Sequence, residues 1–122
     1  MYPAIPKNYH NPSMNLDWFK ILIIDAELDN ITVLEDMLYD SGYQQIVSYT
    51  NPILALSEFH MHRPNLVLLD LRLPQMNGLD VLRKLKESND IEHTDVMVLS
   101  TDTSQECKLI AFQYGAVDFI SQ

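Results

Sequence analysis

Short apolar runs recur along the chain at the spacing of strands that are separated by helices. They begin at residues 21, 46, 66, 96 and 119, so the starts of neighbouring runs lie 20 to 30 residues apart. Such intervals accommodate one helix between consecutive strands, which is the connection that parallel strands require. The runs at residues 21–24 and 66–69 are apolar without alternation, which indicates strands covered on both faces. We therefore predict an α/β fold in which helices lie on both sides of a parallel sheet.

The segments between the runs carry helical signals. A first helix is predicted by three apolar residues spaced along one face, namely Ile31, Leu34 and Leu38. Gly42 is expected to end that helix, because glycine readily adopts the left-handed conformation of a C-terminal cap. Asn51 followed by Pro52 predicts the cap and first residue of a second helix. A third helix is predicted over residues 79–88, and a fourth from a capping box over residues 103–106.

The charge balance limits the partners of the chain. Seventeen acidic residues face eight basic ones, which gives a net charge of −9. Such a surface repels phosphate backbones and anionic lipid, so we expect neither nucleic-acid nor membrane binding by this segment. A single cysteine, Cys107, cannot form an internal disulfide, and no apolar run approaches the roughly 18 residues of a membrane span. With no signal-peptide pattern at the start, a cytoplasmic location is expected.

Residues 1–19 form a separate segment. They hold three of the six prolines and show no apolar period, so we predict an N-terminal extension that is partly disordered. The folded domain is expected to cover residues 20–122.

Polar residues end three of the predicted strands. Asp25, Asp70 and Ser100 each follow a run of four apolar residues. In an open parallel sheet, ligands bind beyond the carboxyl ends of the strands, so these side chains are expected to face one crevice. Two neighbouring carboxylates repel unless a cation lies between them, and Mg²⁺ prefers oxygen ligands of this kind.

The loop after Asp70 completes a recognisable pattern. Pro74 stiffens this loop, and Asn77 with Gly78 predicts a tight turn into the third helix. With Asp25 and Ser100, the pattern resembles the receiver domain of two-component response regulators over residues 20–122. The resemblance implies a doubly wound, flavodoxin-like sheet of five parallel strands in the order 2-1-3-4-5.

The resemblance also implies a role for each matching residue. Asp70 is then the phosphoacceptor, and Asp25 and the backbone carbonyl of Arg72 are Mg²⁺ ligands. Ser100 is the hydroxyl that hydrogen-bonds the phosphoryl group, and Phe119 lies at the position of an aromatic switch residue. The implied partners are a histidine kinase or phosphotransfer protein, and an output domain or partner protein. A receiver of this kind is a signalling module rather than an enzyme.

Two positions depart from the family pattern. The family has two adjacent acids after the first strand, and here the second is Ala26. The family also ends its fifth strand with a lysine, and by the spacing from Gly115 that position is Gln122, which carries no charge. We predict a weak Mg²⁺ site and slow or absent phosphorylation. Glu27 could supply the missing acid, but its side chain is expected to face solvent. The alternative function is a degenerate receiver that acts as a protein-interaction module.

A receiver has a fifth helix after its fifth strand, and this sequence ends at Gln122. We therefore expect the final helix to be missing and the chain to be a piece of a longer protein. Without this helix, one flank of the sheet would be uncovered. Apolar residues of the N-terminal segment could cover that flank instead, namely Ile5, Leu16, Trp18 and Phe19. A homodimer in which two copies cover each other is a further alternative.

Other functions fit less well. A phosphate-transferring hydrolase on a related sheet would need an acid two residues after its nucleophile, where this chain has Arg72. A flavin or dinucleotide binder would need a glycine-rich phosphate loop, which three glycines in the whole chain cannot supply. The histidines His60, His62 and His93 lack metal-ligand spacing and are expected at the surface. Residues 50–56 and 100–103 resemble segments of receivers coupled to cyclic-dinucleotide phosphodiesterases, which leaves the output open.

Overall fold

Strands and helices alternate throughout the part of the chain that the computed structural model describes, which is residues 15–88 and 91–122. The strands are β1 (Lys20–Ile24), β2 (Gln45–Tyr49), β3 (Leu66–Asp70), β4 (Asp95–Ser100) and β5 (Asp118–Ser121). The helices are α1 (Leu28–Asp40), α2 (Pro52–His62), α3 (Gly78–Glu87) and α4 (Gln105–Gln113). The alternation predicted from the apolar runs is confirmed.

The five strands form one parallel sheet in the order β2-β1-β3-β4-β5. Ile21 lies opposite Ile46 on one side and opposite Leu66 on the other, so β1 is enclosed by two neighbours. Because all strands run in one direction, their carboxyl ends meet at the same edge of the sheet. The predicted fold class and strand order are confirmed.

The sheet separates two apolar cores. Leu22, Ile24, Val67 and Leu69 face one core, which is completed by residues of α2, α3 and α4. Their neighbours in sequence, such as Ile21 and Leu68, face the other core together with the apolar stripe of α1. Successive strand residues point to opposite faces, and here both faces are buried. This explains why the runs are apolar without alternation.

The helix ends are set by local hydrogen bonds. Asn51 caps α2 by accepting from the N–H of Ile53 at 2.9 Å, as predicted. Helix α3 begins at Gly78, one residue earlier than predicted, after the Asn77 cap. The predicted capping box of α4 is wrong, because the hydroxyl of Ser104 is the cap and accepts from the N–H of Cys107 at 3.2 Å. A serine directly after a threonine offers two candidate caps, and the sequence does not decide between them.

The segment before β1 contacts the core. Leu16 is buried in the core that includes Tyr43, and the Phe19 ring lies 5.5 Å from the Tyr43 ring. Tyr43 directly precedes β2, which is the edge strand on the opposite side of the sheet from β5. The side chain of Trp18 is 63% exposed and is not part of this core. Ile5 and the remainder of residues 1–14 lie outside the described residues, so the predicted disorder of the extension stays a prediction. None of the helices in the described residues has the length and apolar character needed to cross a membrane.

Candidate functional site

Three polar side chains are buried at the carboxyl edge of the sheet. Asp25 directly follows β1, Asp70 ends β3 and Ser100 ends β4, and each is only 1% exposed. These are the residues that the sequence placed at this edge. Carboxyl groups are rarely buried without a partner or a ligand, so this edge is the strongest candidate for a functional site.

One local device orients all three side chains. In each, a side-chain oxygen accepts a hydrogen bond from the backbone N–H two residues later. Glu27 donates to Oδ1 of Asp25 at 2.9 Å and Arg72 to Oδ1 of Asp70 at 2.7 Å. Asp102 likewise donates to Oγ of Ser100 at 3.0 Å. Such turns hold the side chain against its own backbone, so the strand end and the following loop fix its direction.

Asp25 and Asp70 form a carboxyl pair. Their side chains are close enough to be joined by a hydrogen bond when one of them carries a proton. Burial raises the pKa of Asp70 to about 6, and the charge of Asp25 adds to this effect, while the hydrogen bond from Arg72 opposes it. Burial also raises the pKa of Asp25, against the lowering effect of the Glu27 hydrogen bond. The pair therefore resists carrying two negative charges unless a cation compensates them.

The pair fits a hard divalent cation in part. Oδ2 of Asp25 is buried and has no hydrogen-bond partner among the described residues, which leaves a charged oxygen free to accept a ligand. Carboxylate oxygens are the ligands that Mg²⁺ prefers. However, within residues 15–88 and 91–122 no three or more His, Cys, Asp or Glu side chains are grouped to hold a metal ion. The residues therefore fit Mg²⁺ with fewer protein ligands than a complete acidic cluster provides.

Gly78 shapes the loop that follows Asp70. A Cβ atom at this position would lie 2.4 Å from Cα and 2.6 Å from the carbonyl oxygen of Leu71. The start of α3 thus packs directly on the backbone next to Asp70, where only glycine fits. The N–H of Leu71 in turn donates to the carbonyl of Leu99 at 3.1 Å, which ties the loop to β4. The spacing from Asp70 to Gly78 therefore lets the loop return to its own start, so that Gly78 packs on the backbone of Leu71.

The two departures from the family pattern lie at the same edge. Ala26 is half-buried directly after Asp25 and offers no ligand atom in its side chain. The N–H of Gln122 donates to the carbonyl of Ser100 at 2.9 Å, which holds Gln122 beside the end of β4. Its Oε1 is buried without a hydrogen-bond partner among the described residues. Glu27 is exposed, and its side chain makes no capping hydrogen bond.

The remaining predicted residues lie near this edge or on β5. Phe119 is half-buried in β5, with Nζ of Lys108 lying 6.0 Å from the ring centre. Arg72 lies in the loop after β3, where its backbone N–H donates to Oδ1 of Asp70 at 2.7 Å. Asp102 accepts from the N–H of Ser104 at 2.9 Å, and so belongs to the start of α4.

Sequence reasoning missed the contacts of Tyr49 and His62. The carbonyl of Tyr49 accepts from the N–H of Asp25 at 3.0 Å, which anchors β2 to the start of the acidic site. His60 and His93 are exposed as expected, whereas His62 is half-buried and hydrogen-bonded to Tyr49 and Lys20. These partners are 13 and 42 residues away in sequence, and no local pattern could have connected them.

Comparison with known proteins gives a consistent result. The family model described as response regulator receiver domain matches residues 21–122. A Vibrio cholerae protein named "Probable cyclic di-GMP phosphodiesterase" is 30% identical over 112 residues, covering 92% of this chain and 25% of that protein. The chemotaxis protein CheY of Bacillus subtilis is 28% identical over 101 residues, covering 83% of this chain and 82% of CheY.

A solved structure shares the fold. The receiver domain of the sensor histidine kinase PA1611 from Pseudomonas aeruginosa PAO1 superposes with a TM-score of 0.75 at 24% identity, covering 85% of this chain and 84% of that one. That structure has a magnesium ion coordinated in its active-site cleft. The chain thus spans most of the length of CheY but only a quarter of the Vibrio cholerae protein.

Proposed function

The chain belongs to the response regulator receiver family, and from that premise we propose that it receives signals by accepting a phosphoryl group on Asp70. The donor is a phosphohistidine on a histidine kinase or phosphotransfer protein. The recipient of the signal is an output domain or a partner protein. We propose that the chain acts in the cytoplasm. Its net charge of −9 disfavours binding to nucleic acid or to a membrane surface through this segment.

The observation that carries the proposal is the buried Asp25–Asp70 pair at the carboxyl edge of the sheet. The N–H of Arg72 fixes Oδ1 of Asp70 at 2.7 Å, so the nucleophile has one orientation. A carboxylate oxygen of Asp70 forms the new bond to phosphorus while the bond from phosphorus to the donor nitrogen breaks. The donor nitrogen keeps the electron pair, and an acyl phosphate forms on Asp70.

Mg²⁺ is the cofactor that we propose for this site. Asp25, Asp70 and the backbone carbonyl of Arg72 would hold it, whereas the side chain of Glu27 is exposed and contributes little. When bound, it offsets the negative charge that gathers on the transferring group. This assignment is supported by the buried Oδ2 of Asp25, which accepts no hydrogen bond from any residue that the structure describes. Because Ala26 supplies no ligand, we propose weak binding.

The remaining residues act on the phosphorylated state. The Ser100 hydroxyl donates a hydrogen bond to a phosphoryl oxygen on Asp70. Phe119 on β5 is the aromatic switch residue, whose side chain changes position when Asp70 is phosphorylated. Gln122 occupies the place of the family lysine, where its amide can donate a hydrogen bond but cannot neutralise charge. We therefore propose that phosphorylation is slow.

A second candidate is a receiver that is not phosphorylated and acts only through protein contacts. The observation that favours it is the coincidence of two losses at one edge, since Ala26 removes a ligand and Gln122 removes a positive charge. Both losses raise the energy of the same metal-loaded, phosphorylated state.

Intact-mass measurement separates the two candidates. The full chain is incubated with Mg²⁺ and a small acyl-phosphate donor, beside an Asp70→Asn variant in which the acceptor carboxylate is absent. Slow gain of one labile phosphoryl group by the wild type alone supports the phosphorylated receiver. No gain by either protein supports the interaction module. Equal gain by both proteins would exclude Asp70 as the acceptor.

A further inference from the structure

Away from the acidic edge, four side chains form a continuous chain of hydrogen bonds that crosses three elements. Nζ of Lys20 on β1 lies 3.0 Å from Nδ1 of His62, the last residue of α2. Nε2 of His62 lies 2.7 Å from the hydroxyl of Tyr49 on β2. That hydroxyl lies 2.6 Å from Oε1 of Glu58, one turn earlier on α2. All four side chains are half-buried.

The chemistry of the end groups fixes where the protons lie. The Lys20 ammonium can only donate, so Nδ1 of His62 must accept. A neutral imidazole then carries its proton on Nε2 and donates to Tyr49. The Tyr49 hydroxyl in turn donates to the Glu58 carboxylate. Burial and the hydrogen bond to Glu58 raise the pKa of Tyr49 to about 12, which keeps this proton in place.

We propose that His62 is a proton-sensitive clasp that fastens the end of α2 to β1 and β2, closed while its ring is neutral and released when Nδ1 takes up a proton. Protonated Nδ1 becomes a donor facing the Lys20 ammonium, so the hydrogen bond is lost and two positive charges meet. The Tyr49 side of the ring gains no new hydrogen bond in exchange, because Nε2 already carries its proton. Protonation therefore selectively breaks the link to β1.

The charges around the ring set the pH range of release. Burial and the Lys20 charge lower the pKa of His62 below its ordinary 6.5, and Glu58 on the same helix acts in the opposite direction. Helix α3 also packs against α2, but no charged group of α3 contributes among the described residues. Since the folded state binds the proton less readily than the unfolded state, the clasp stabilises the fold fully above pH 6.5. That stability is lost as the pH falls through the lowered pKa of His62.

The clasp reaches the acidic edge through one backbone hydrogen bond. Tyr49 holds its side chain in the clasp while its carbonyl accepts from the N–H of Asp25 at 3.0 Å. A change in how the end of α2 is held against β2 can therefore reach the backbone at Asp25 through Tyr49. The four side chains of the clasp do not include Asp70, so the clasp does not require phosphorylation of Asp70.

NMR of the full chain tests the clasp. Imidazole ¹⁵N shifts give the tautomer of His62, and a pH titration gives its pKa in the wild type and in Lys20→Met, which keeps the aliphatic stem but removes the charge. We expect the Nε2–H tautomer, a pKa below 6.5 in the wild type and a higher pKa in Lys20→Met. An Nδ1–H tautomer, or a pKa that does not respond to Lys20→Met, would overturn the proposal.

A stability measurement provides an independent readout. In His62→Gln, an amide keeps an acceptor and a donor but cannot titrate. The wild type should lose more unfolding free energy between pH 6.5 and 5 than this variant does. His60→Gln, which removes an exposed histidine of the same helix, should follow the wild type. If the wild type and His62→Gln lose stability in parallel, the clasp does not exist.

Discussion

Asp25 and Asp70 lie within hydrogen-bonding range of each other, although each is only 1% exposed to solvent. The pair joins the ends of β1 and β3, which are neighbours in the sheet. Its burial is unfavourable to the folded chain whenever both groups are charged, and a cation held between the two carboxylates would offset their repulsion.

Replacing Asp70 with asparagine should stabilise the metal-free protein. In the folded state the pKa of Asp70 lies at about 6 instead of its ordinary 3.8. Above pH 6 the folded protein therefore carries a charge that is less favourable than in the unfolded chain, by on the order of 1–3 kcal/mol. The gain in Asp70→Asn should be fully present at pH 8 and shrink as the pH falls through 6 towards 3.8. Urea unfolding with a metal chelator present measures it.

The matched control for that experiment is Asp36→Asn, which removes an exposed carboxylate on α1. This variant should stay within about 0.5 kcal/mol of the wild type. A loss of stability in Asp70→Asn, or a gain of the same size at every pH, would show that Asp70 does not carry a raised pKa.

Magnesium affinity should rise with pH. A proton and Mg²⁺ compete for the Asp70 carboxylate, so the apparent affinity should increase as the pH passes upward through about 6 and then level off. Isothermal titration calorimetry between pH 5.5 and 8 measures this dependence. Affinity that stays constant over this range would mean that Asp70 does not contribute to the metal site.

An aspartate at position 26 should strengthen the metal site. Ala26→Asp adds a carboxylate directly after Asp25, and we expect Mg²⁺ affinity to increase by about tenfold or more, which corresponds to 1.4 kcal/mol. Glu27→Gln, which removes the exposed acid one residue further along, should change the affinity less than about twofold. An unchanged affinity in Ala26→Asp would contradict the placement of the cation beside Asp25.

Replacing Gly78 with alanine should destabilise the fold. An added Cβ would lie 2.4 Å from Cα of Leu71, so the start of α3 must move away from the loop after Asp70. We expect a loss of about 1–3 kcal/mol in urea unfolding. Without this contact, alanine near the start of a helix would stabilise it, so the sign of the effect is decisive. Gln105→Ala, at the exposed first residue of α4, should have little effect.

The sequence predicted most of the fold because its signals are local. The apolar runs located the strands, and Asn51 and Gly42 marked helix ends. The strand order came from the resemblance, since spacing alone establishes parallel connections but not which strands become neighbours. The contact of Gly78 with Leu71 and the clasp at His62 depend on tertiary packing, which local pattern does not encode.

The candidate site was predictable in composition but not in its energetics. Asp25, Asp70 and Ser100 were found because each directly follows an apolar run. The raised pKa of Asp70 depends on how deeply the strand ends are buried and on the distance to Asp25. Oε1 of Gln122 is buried with no hydrogen-bond partner within residues 15–88 and 91–122, and this becomes visible only when β5 is placed beside β4.

The role of Asp70 as the phosphoacceptor is tested by phosphopeptide mapping of a variant that restores both missing groups, Ala26→Asp with Gln122→Lys. This variant and the wild type are incubated with Mg²⁺ and acetyl phosphate, and the modified residue is identified by mass spectrometry. We expect one phosphoryl group on Asp70 in the restored variant, gained faster than in the wild type. A folded restored variant that is not modified at Asp70, or is modified elsewhere, would contradict Asp70 as the acceptor.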